Sequence, residues 1–197
     1  MLSLLQAFRF ADTDVGHVRR LLLWAELPEG AAVLDLGGGA GFVAARMLDE
    51  RPDLSICLVD RDPAMLALAD ARLRVCCADI SAVPEPDQSF DAVICCYAAG
   101  YVEADAFFAE ARRLLRPGGV VFLVDMTPVS PTADTVSLFG YTIRSRRRVD
   151  ESAAAAGLRL DVHIEPVDDS GWGERQFPHY FHVLFGEVRP GVWRFKG

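Results

Sequence analysis

The stretch AAVLDLGGGAGFVAARM, residues 31–47, is the most informative part of this sequence. It begins as an apolar strand over 31–36, passes through four glycines in the five residues 37–41, and continues as a helix from Phe42. Glycine suits a backbone that takes positive φ or passes close to a ligand, because it has no Cβ. Turns of this strand–glycine–helix type bind nicotinamide, flavin and nucleoside cofactors alike, so the loop predicts a ligand without selecting one.

The composition is that of an ordinary globular protein. The chain has 197 residues, 51% hydrophobic and 24% charged, which is enough for one well-buried domain. Its formal net charge of −8 argues against a general nucleic-acid binder, which needs a basic surface. No apolar run approaches the roughly 18 residues that span a bilayer, and the first ten residues lack the features of a signal peptide. We therefore expect a cytoplasmic protein that binds neither nucleic acid nor membrane.

The cysteines fit a reducing compartment. All five lie in apolar, strand-like segments: Cys57, Cys76, Cys77, Cys95 and Cys96. Neither adjacent pair is a C-x-x-C motif, and no histidines lie at zinc spacing around them. We expect reduced thiols packed in the core and no metal site.

Short apolar segments alternate with helical patterns through the first two thirds of the chain. The predicted strands cover 31–36, 54–60, 74–79, 90–97 and 120–126. The predicted helices cover 41–50, 63–73 and 103–115. Asp62 as N-cap and Pro63 at the first helical position open the second of these helices. Near-continuous apolar strands separated by helices predict a parallel sheet that is buried on both faces.

The pattern changes after residue 126. Residues 127–144 are predicted to be irregular, and they form either a lid or wall of the site or a plain connecting loop. A helix over 145–157 follows, and then two strands over 158–167 and 177–188 that read as an antiparallel hairpin. We expect a single domain in four parts: an N-terminal cover segment (1–29), a cofactor-binding core (30–126), a variable lid and helix (127–157) and a C-terminal hairpin (158–197).

The glycine loop fits a dinucleotide poorly. In the G-x-G-x-x-G fingerprint that starts at Gly37, the third glycine position holds the bulky Phe42. If the fingerprint starts at Gly39 instead, its third glycine position holds Ala44. The tight turn would then lie two residues past the end of the strand. The carboxylate of Asp35 would also repel a pyrophosphate and would favour a cation. S-adenosylmethionine has a sulfonium and an ammonium group and no phosphate, so it fits this loop well.

At this point a family resemblance is plain. VLDLGGGAG resembles the (Asp/Glu)-x-Gly-x-Gly-x-Gly motif of class I S-adenosylmethionine-dependent methyltransferases, in particular those similar to methyltransferase type 11. Asp60 in LVDRD resembles the acidic residue with which this family holds both ribose hydroxyls. Asp79 in CCADI resembles the family's aspartate that accepts a hydrogen bond from the adenine amino group. FDAVICCYAAGYV and LLRPGG resemble the later motifs, so that the likeness covers about residues 30–125 in the family's order.

The resemblance implies the fold, the cofactor and the residues around it. The implied fold is a Rossmann-like, doubly wound α/β domain with a mostly parallel sheet of about seven strands and an antiparallel C-terminal hairpin strand. The implied cofactor is S-adenosylmethionine, with S-adenosylhomocysteine as product. The residues expected around it are Asp35, Gly37, Gly38, Gly39, Gly41, Asp60, Arg61, Met65, Asp79, Ile80 and Cys96.

The methyl acceptor is less defined, because in-line transfer from a sulfonium depends mainly on proximity and orientation. The motifs of amino-directed DNA, cytosine-C5 and protein-arginine methyltransferases are absent, so we expect O- or N-methylation of a small molecule by a monomer or a homodimer. Weak candidates for a catalytic role are Tyr97, Tyr101 and His17. Asp125 and the segments 10–17 and 127–144 are expected to line the acceptor pocket, whereas His163, His179 and His182 read as strand residues.

Several alternatives stay open at this stage. The chain could be a non-catalytic S-adenosylmethionine-binding partner or regulatory subunit of the same fold. A nicotinamide-dependent oxidoreductase is disfavoured by Phe42 and Asp35, and an aminopropyl transferase lacks the acidic polyamine site it would need. The basic residues Arg144 and 146–148 would recognise an anion or a partner, or would form a solvated helix start balanced by nearby acids, which we favour.

Overall fold

A computed structural model describes residues 26–128, 133–138, 140–164 and 188–197 of the chain. In this part the strands are β1 (Ala32–Leu36), β2 (Ser55–Asp60), β3 (Arg74–Cys77), β4 (Phe90–Cys96), β5 (Leu115–Pro128), β6 (Thr135–Leu138), β7 (Tyr141–Arg144), β8 (Arg159–Ile164) and β9 (Val188–Lys196). The helices are α1 (Phe42–Glu50), α2 (Pro63–Leu66), α3 (Ala104–Leu114) and α4 (Arg146–Ala155), and a 3-10 turn covers Ala99–Tyr101.

The main sheet has the predicted seven strands, in the order β3-β2-β1-β4-β5-β9-β8. The pairings β3-β2, β2-β1, β1-β4 and β4-β5 are parallel, and β9 runs antiparallel to both β5 and β8. From β1 the chain adds β2 and β3 on one side and β4 and β5 on the other, as expected for a doubly wound sheet. Ligands of such sheets bind where the order changes direction, at the carboxyl ends of the strands. The Rossmann-like prediction is therefore confirmed.

The strands β1, β2, β4 and β5 are buried on both faces of the sheet, as their sequences predict, whereas the edge strand β3 is mostly exposed. The face that carries Leu34, Val93 and Leu123 packs with Phe107 and Phe108 of α3. The opposite face carries, among others, Val33, Ile56, Ile94 and Phe122, and it packs with Ala44, Met47 and Leu48 of α1. Because the two faces are filled by helices, polar groups concentrate at the ends of the strands.

Two sequence-based predictions of secondary structure are wrong, and a third concerns residues that are mostly outside the described ranges. The helix expected over 63–73 is the single turn α2, because Asp70 accepts a hydrogen bond from the backbone N–H of Arg72 and so favours a turn. The stretch 127–144, expected to be irregular, contains the antiparallel pair β6 and β7. The strand that pairs with β8 is Val188–Lys196, while 177–187 lies outside the described residues.

The prediction for the cysteines is only partly correct. All five are free thiols, with Cys57 and Cys95 buried and Cys76 and Cys96 half-buried. Cys77, however, is exposed, because it ends β3, the edge strand of the sheet. No helix in the described ranges combines the length and apolar character that crossing a bilayer requires.

A buried ion pair on α3 holds the loop between β3 and β4. Glu110 accepts from the backbone N–H of Val83 at 2.7 Å and takes two hydrogen bonds from the Arg113 guanidinium, at 2.7 and 2.8 Å. Arg113 also donates to the carbonyls of Val83 and Glu85, at 2.9 and 2.8 Å. The loop that follows β3 is thereby fixed against α3 without any regular structure of its own.

We expect Glu110→Ala to lower the free energy of unfolding by about 2 kcal/mol, because it leaves the buried N–H of Val83 without an acceptor and removes two of the hydrogen bonds of Arg113. Urea denaturation followed by circular dichroism measures the change. The matched control is Glu151→Ala on α4, which removes an exposed ion pair to Arg147 and should change stability by less than about 0.5 kcal/mol. Equal losses in the two variants would contradict a special role for Glu110.

Candidate functional site

The glycine loop after β1 needs glycine at three positions for backbone reasons. Gly37, Gly39 and Gly41 have φ of 72°, 58° and 75°, in the left-handed region that other residues rarely adopt. A Cβ on Gly37 would overlap the Cβ of Ala98 beyond β4, and a Cβ on Gly41 would lie 2.7 Å from Leu73. The loop thus turns tightly against its neighbours and leaves its outer side to a ligand.

Asp35 is buried at the base of this loop. It lies one residue before the end of β1, beside Leu58 of β2 and Ile94 of β4, and its relative exposure is 1%. Neither carboxylate oxygen has a hydrogen-bond partner among the described residues. Burial, and to a smaller degree the nearby Asp60, raises the pKa of Asp35 from 3.8 to about 7.

A buried carboxylate without partners is unusual, because native proteins satisfy nearly all such groups. An ammonium group placed beside Asp35 would supply the missing donors and would favour the ionised form. The donor set around the glycine loop therefore fits a cationic ligand, in agreement with the sequence-based argument against a pyrophosphate.

Asp60, at the end of β2, is held in a fixed orientation. Its Oδ2 accepts from the backbone N–H of Gly39 at 2.8 Å, and its Oδ1 accepts from that of Asp62 at 2.9 Å. Each carboxylate oxygen keeps a further lone pair, so the group can still accept from two adjacent hydroxyls. The carboxylate is therefore ready for a diol before any ligand arrives.

Asp79 and Ile80 follow β3 on the same edge of the sheet. One oxygen of the exposed Asp79 carboxylate accepts from the N–H and the hydroxyl of Ser81, at 2.8 and 2.6 Å, and these bonds lower its pKa. Ile80 is buried, and its Cγ2 would lie 3.7 Å from a Cβ on Gly37. A flat ring packed on Ile80 would therefore lie between the glycine loop and Asp79.

The remaining residues expected around the cofactor also lie near the loop. Met65 of α2 is buried and would lie 3.4 Å from a Cβ on Gly39, and Gly38 packs directly against Asp35 and Leu58. Cys96 ends β4, where burial, followed by the nearby Asp35, raises the pKa of its thiol. The guanidinium carbon of Arg61 lies 5.4 Å from the centre of the Tyr101 ring.

The two tyrosines expected near the acceptor follow β4. Tyr97 has φ of 57°, a strained conformation for an aromatic residue, and burial raises the pKa of its phenol well above the ordinary value. Tyr101 packs edge-to-face on Tyr141, with 4.8 Å between ring centres and 86° between planes. Backbone strain like that of Tyr97 is common at functional sites, where the surrounding structure imposes it.

Sequence analysis missed the part that Tyr141 plays. Its hydroxyl donates to Asp125 at the end of β5, and burial raises the pKa of Asp125 to about 6 although that bond and the Met126 N–H favour the carboxylate. A Cβ on Gly100 would overlap the Tyr141 ring. The glycine in AAGY was thus the available signal that another element packs there.

The arginines at the end of β7 and the start of α4 form contacts within the protein. Arg144 is buried and donates to the carbonyl of Ala99 at 3.1 Å and to that of Val102, which pins β7 to the 3-10 turn. The exposed Arg146 and Arg147 and the half-buried Arg148 form ion pairs with Asp150, with Glu151 and Asp134, and with Asp105. This agrees with a solvated helix start for these three arginines, whereas the prediction is wrong for Arg144, which is buried.

The histidines contribute no observed site. His163 on β8 packs against the fully buried Trp193 of β9, with 4.8 Å between ring centres. His17, His179 and His182 lie outside the described residues, as does the segment 10–17. Within the described ranges, no three His, Cys, Asp or Glu side chains group as metal ligands would.

Comparison with known proteins agrees with this geometry. Residues 33–119 match a family described as a methyltransferase domain. A ubiquinone/menaquinone biosynthesis C-methyltransferase, UbiE, of Cupriavidus pinatubonensis is 31% identical over 74% of this chain and 65% of its own length. An arsenite methyltransferase of Halobacterium salinarum is 33% identical over 75% of this chain and 42% of its own.

A solved structure of geranyl diphosphate methyltransferase in complex with S-adenosylmethionine has the same fold. It superposes with a TM-score of 0.74 at 16% identity, covering 92% of this chain and 84% of that one. Three further relatives, all UbiE proteins, are longer than the region they share with this chain. The chain spans less than two thirds of the length of each of them.

Proposed function

We propose that this chain is a class I S-adenosylmethionine-dependent methyltransferase domain, which transfers the methyl group of S-adenosylmethionine to a small-molecule acceptor. The observation that carries the proposal is the buried Asp35 carboxylate, whose oxygens have no partner among the described residues. The ammonium group of the cofactor's methionine part supplies the donors that this carboxylate lacks. A nicotinamide cofactor would bring a pyrophosphate to the same place instead.

The other strand ends fit the rest of that cofactor. Asp60, already oriented by two backbone N–H groups, accepts from the two ribose hydroxyls. The adenine ring packs on Ile80, and its amino group donates to the carboxylate of Asp79. A side chain at Gly38 would clash with Asp35 and Leu58, and one at Gly41 with Leu58 and Leu73, so either would displace the loop that faces the ligand.

Catalysis in this site rests on placement. The cofactor supplies an activated methyl group on its sulfonium, and the protein holds the acceptor's lone pair opposite the sulfur and excludes water. The carboxyl ends of β4 and β5 face this position, where Tyr97, Tyr101 and Asp125 surround the space beyond the cofactor. None of these residues has to act as a base for an acceptor that is already nucleophilic.

The acceptor is a small molecule in this proposal, and the methylated atom is left to experiment. The two relatives described above are named for a carbon acceptor and for arsenite, so the domain accepts more chemistry than the oxygen or nitrogen predicted from the sequence. Screening acceptors with S-adenosylmethionine labelled on its methyl group identifies both the molecule and the atom. Cofactor binding without transfer to any acceptor would favour a non-catalytic role for the chain.

We expect wild type to bind S-adenosylmethionine with micromolar affinity and Asp60→Ala to bind it about 30-fold more weakly, because two charge-assisted hydrogen bonds to the ribose are lost. Isothermal titration calorimetry measures both constants. Asp70→Ala is the matched control, since Asp70 is a nearby acid that pairs with the exposed Arg72, away from the glycine loop. Absence of binding to wild type would overturn the proposal, and unchanged affinity in Asp60→Ala would overturn the assignment of the ribose site.

A further inference from the structure

We propose that Arg61 and Tyr101 form a clasp over the glycine loop, which opens to admit S-adenosylmethionine and closes to retain it. This inference rests on the proposed function and adds Tyr101 to the residues that position the cofactor. The observation that carries it is the placement of the Arg61 guanidinium 5.4 Å from the centre of the Tyr101 ring. That distance is within the range of a cation–π contact.

Sheet topology shows what this contact crosses. Arg61 follows β2 and Tyr101 follows β4, while the strand between β2 and β4 is β1, which leads into the glycine loop. Adjacent strands are about 4.8 Å apart, so the two loops start roughly 10 Å from each other on either side of that loop. The side chains close this gap from both sides. A ligand bound on the glycine loop therefore lies beneath the contact.

The two sides of the clasp differ in rigidity. Tyr101 is fixed by its edge-to-face contact with Tyr141, by the bond from the Tyr141 hydroxyl to Asp125, and by its own N–H, which donates to the carbonyl of Ala98 at 3.1 Å. Arg61 is exposed, so its long side chain can move off the ring. After the hydrogen bonds from Ser81, the charge of Arg61 also helps to lower the pKa of Asp79.

The energy of the contact suits a clasp. An exposed cation–π pair is a weak contact, so Arg61 leaves Tyr101 readily and does not block entry. Once the cofactor lies beneath it, the closed pair covers the bound cofactor and separates it from solvent. Release then requires opening, so loss of either partner speeds dissociation.

Exchange of S-adenosylhomocysteine tests this, because the product binds without turnover. Labelled S-adenosylhomocysteine is bound to each variant and chased with an excess of unlabelled compound, and the dissociation rate is measured. We expect Arg61→Ala to release it about fivefold faster than wild type, in keeping with the strength of such a contact. Tyr101→Phe should match wild type, because the aromatic face is retained.

The double variant and a control separate a clasp from general damage. If the residues act through each other, Arg61→Ala combined with Tyr101→Ala should release the product no faster than Tyr101→Ala alone. Arg46→Ala, an exposed arginine on α1, serves as the control and should not change the rate. Unchanged dissociation in Arg61→Ala, or additive effects of the two alanines, would overturn the clasp, whereas failure of wild type to bind would overturn the proposed function itself.

Discussion

Asp35→Asn is expected to weaken the binding of S-adenosylmethionine several-hundred-fold while stabilising the cofactor-free protein at alkaline pH. The loss of affinity follows because a buried carboxylate that faces a cation is replaced by a neutral amide, and breaking a buried pair costs about 3–5 kcal/mol. The gain in stability follows because wild type must ionise a desolvated carboxyl that has no partner when the cofactor is absent.

The sign of the pH effect can be derived from the pKa. Asp35 has a pKa of about 7 in the folded protein, well above its ordinary value of 3.8, so the folded state holds a proton that the unfolded state has released. Between these two values, this group makes the folded state less stable as pH rises, and the effect is complete above pH 7. The asparagine variant lacks this term altogether.

Urea denaturation of both proteins at pH 5 and pH 8 measures this effect. The difference in unfolding free energy, variant minus wild type, should rise by about 2–3 kcal/mol between the two pH values, since one pKa unit corresponds to 1.36 kcal/mol. The affinity of wild type for the cofactor should rise with pH between 6 and 7.5, and that of the variant should not. A constant difference in stability would show that Asp35 is ionised in the cofactor-free protein throughout this range.

Gly37→Ala is expected to destabilise the protein by about 3 kcal/mol and to abolish cofactor binding. The added Cβ is strained at φ of 72° and also overlaps the Cβ of Ala98, which is fixed to the backbone and cannot move aside. Left-handed strain accounts for about 1 kcal/mol, and the overlap for a further 1–3 kcal/mol. The loop must shift to relieve the overlap, and the N–H of Gly39 then no longer orients Asp60.

Two other glycines separate these contributions. Gly118 has φ of 78° with no atom within 4 Å of an added Cβ, so Gly118→Ala should show the strain alone. Gly39 has φ of 58°, and its added Cβ would meet only the flexible end of Met65 at 3.4 Å, so Gly39→Ala should be intermediate in stability. Thermal unfolding of the three variants gives the order, and equal losses at Gly37 and Gly118 would contradict the steric argument.

The sequence predicts the placement of the glycine loop and of the acidic residues near it better than it predicts the surrounding elements. The glycine loop and the carboxylates at the ends of β1, β2 and β3 follow from local patterns, because a parallel strand and the turn after it are encoded together. Tyr141 and β7 do not follow in this way. The strands of that hairpin have four residues each, and the bond from Tyr141 to Asp125 joins residues 16 positions apart that no period connects.

The misplaced C-terminal strand has a similar cause. The segment RPGVWRFK contains Pro190 and Gly191, which weigh against a central strand in any local estimate. In the structure it pairs with β5 on one side and β8 on the other, and Gly191 leaves room for the ring of Trp193. Pairing on both edges and burial of Trp193 outweigh the local preference, and neither is visible before the sheet is assembled.

The position of β9 also has a consequence for biosynthesis. Although β8 is made before β9, it lies beyond β9 in the sheet, so among the described strands it has no neighbour to pair with until β9 has been made. Until β9 emerges from the ribosome, the antiparallel edge of β5 presents unpaired backbone groups and the place of Trp193 in the core is empty. Translation up to this point therefore yields a chain with an open, aggregation-prone sheet edge, and synthesis of β9 both fills the core and removes that edge.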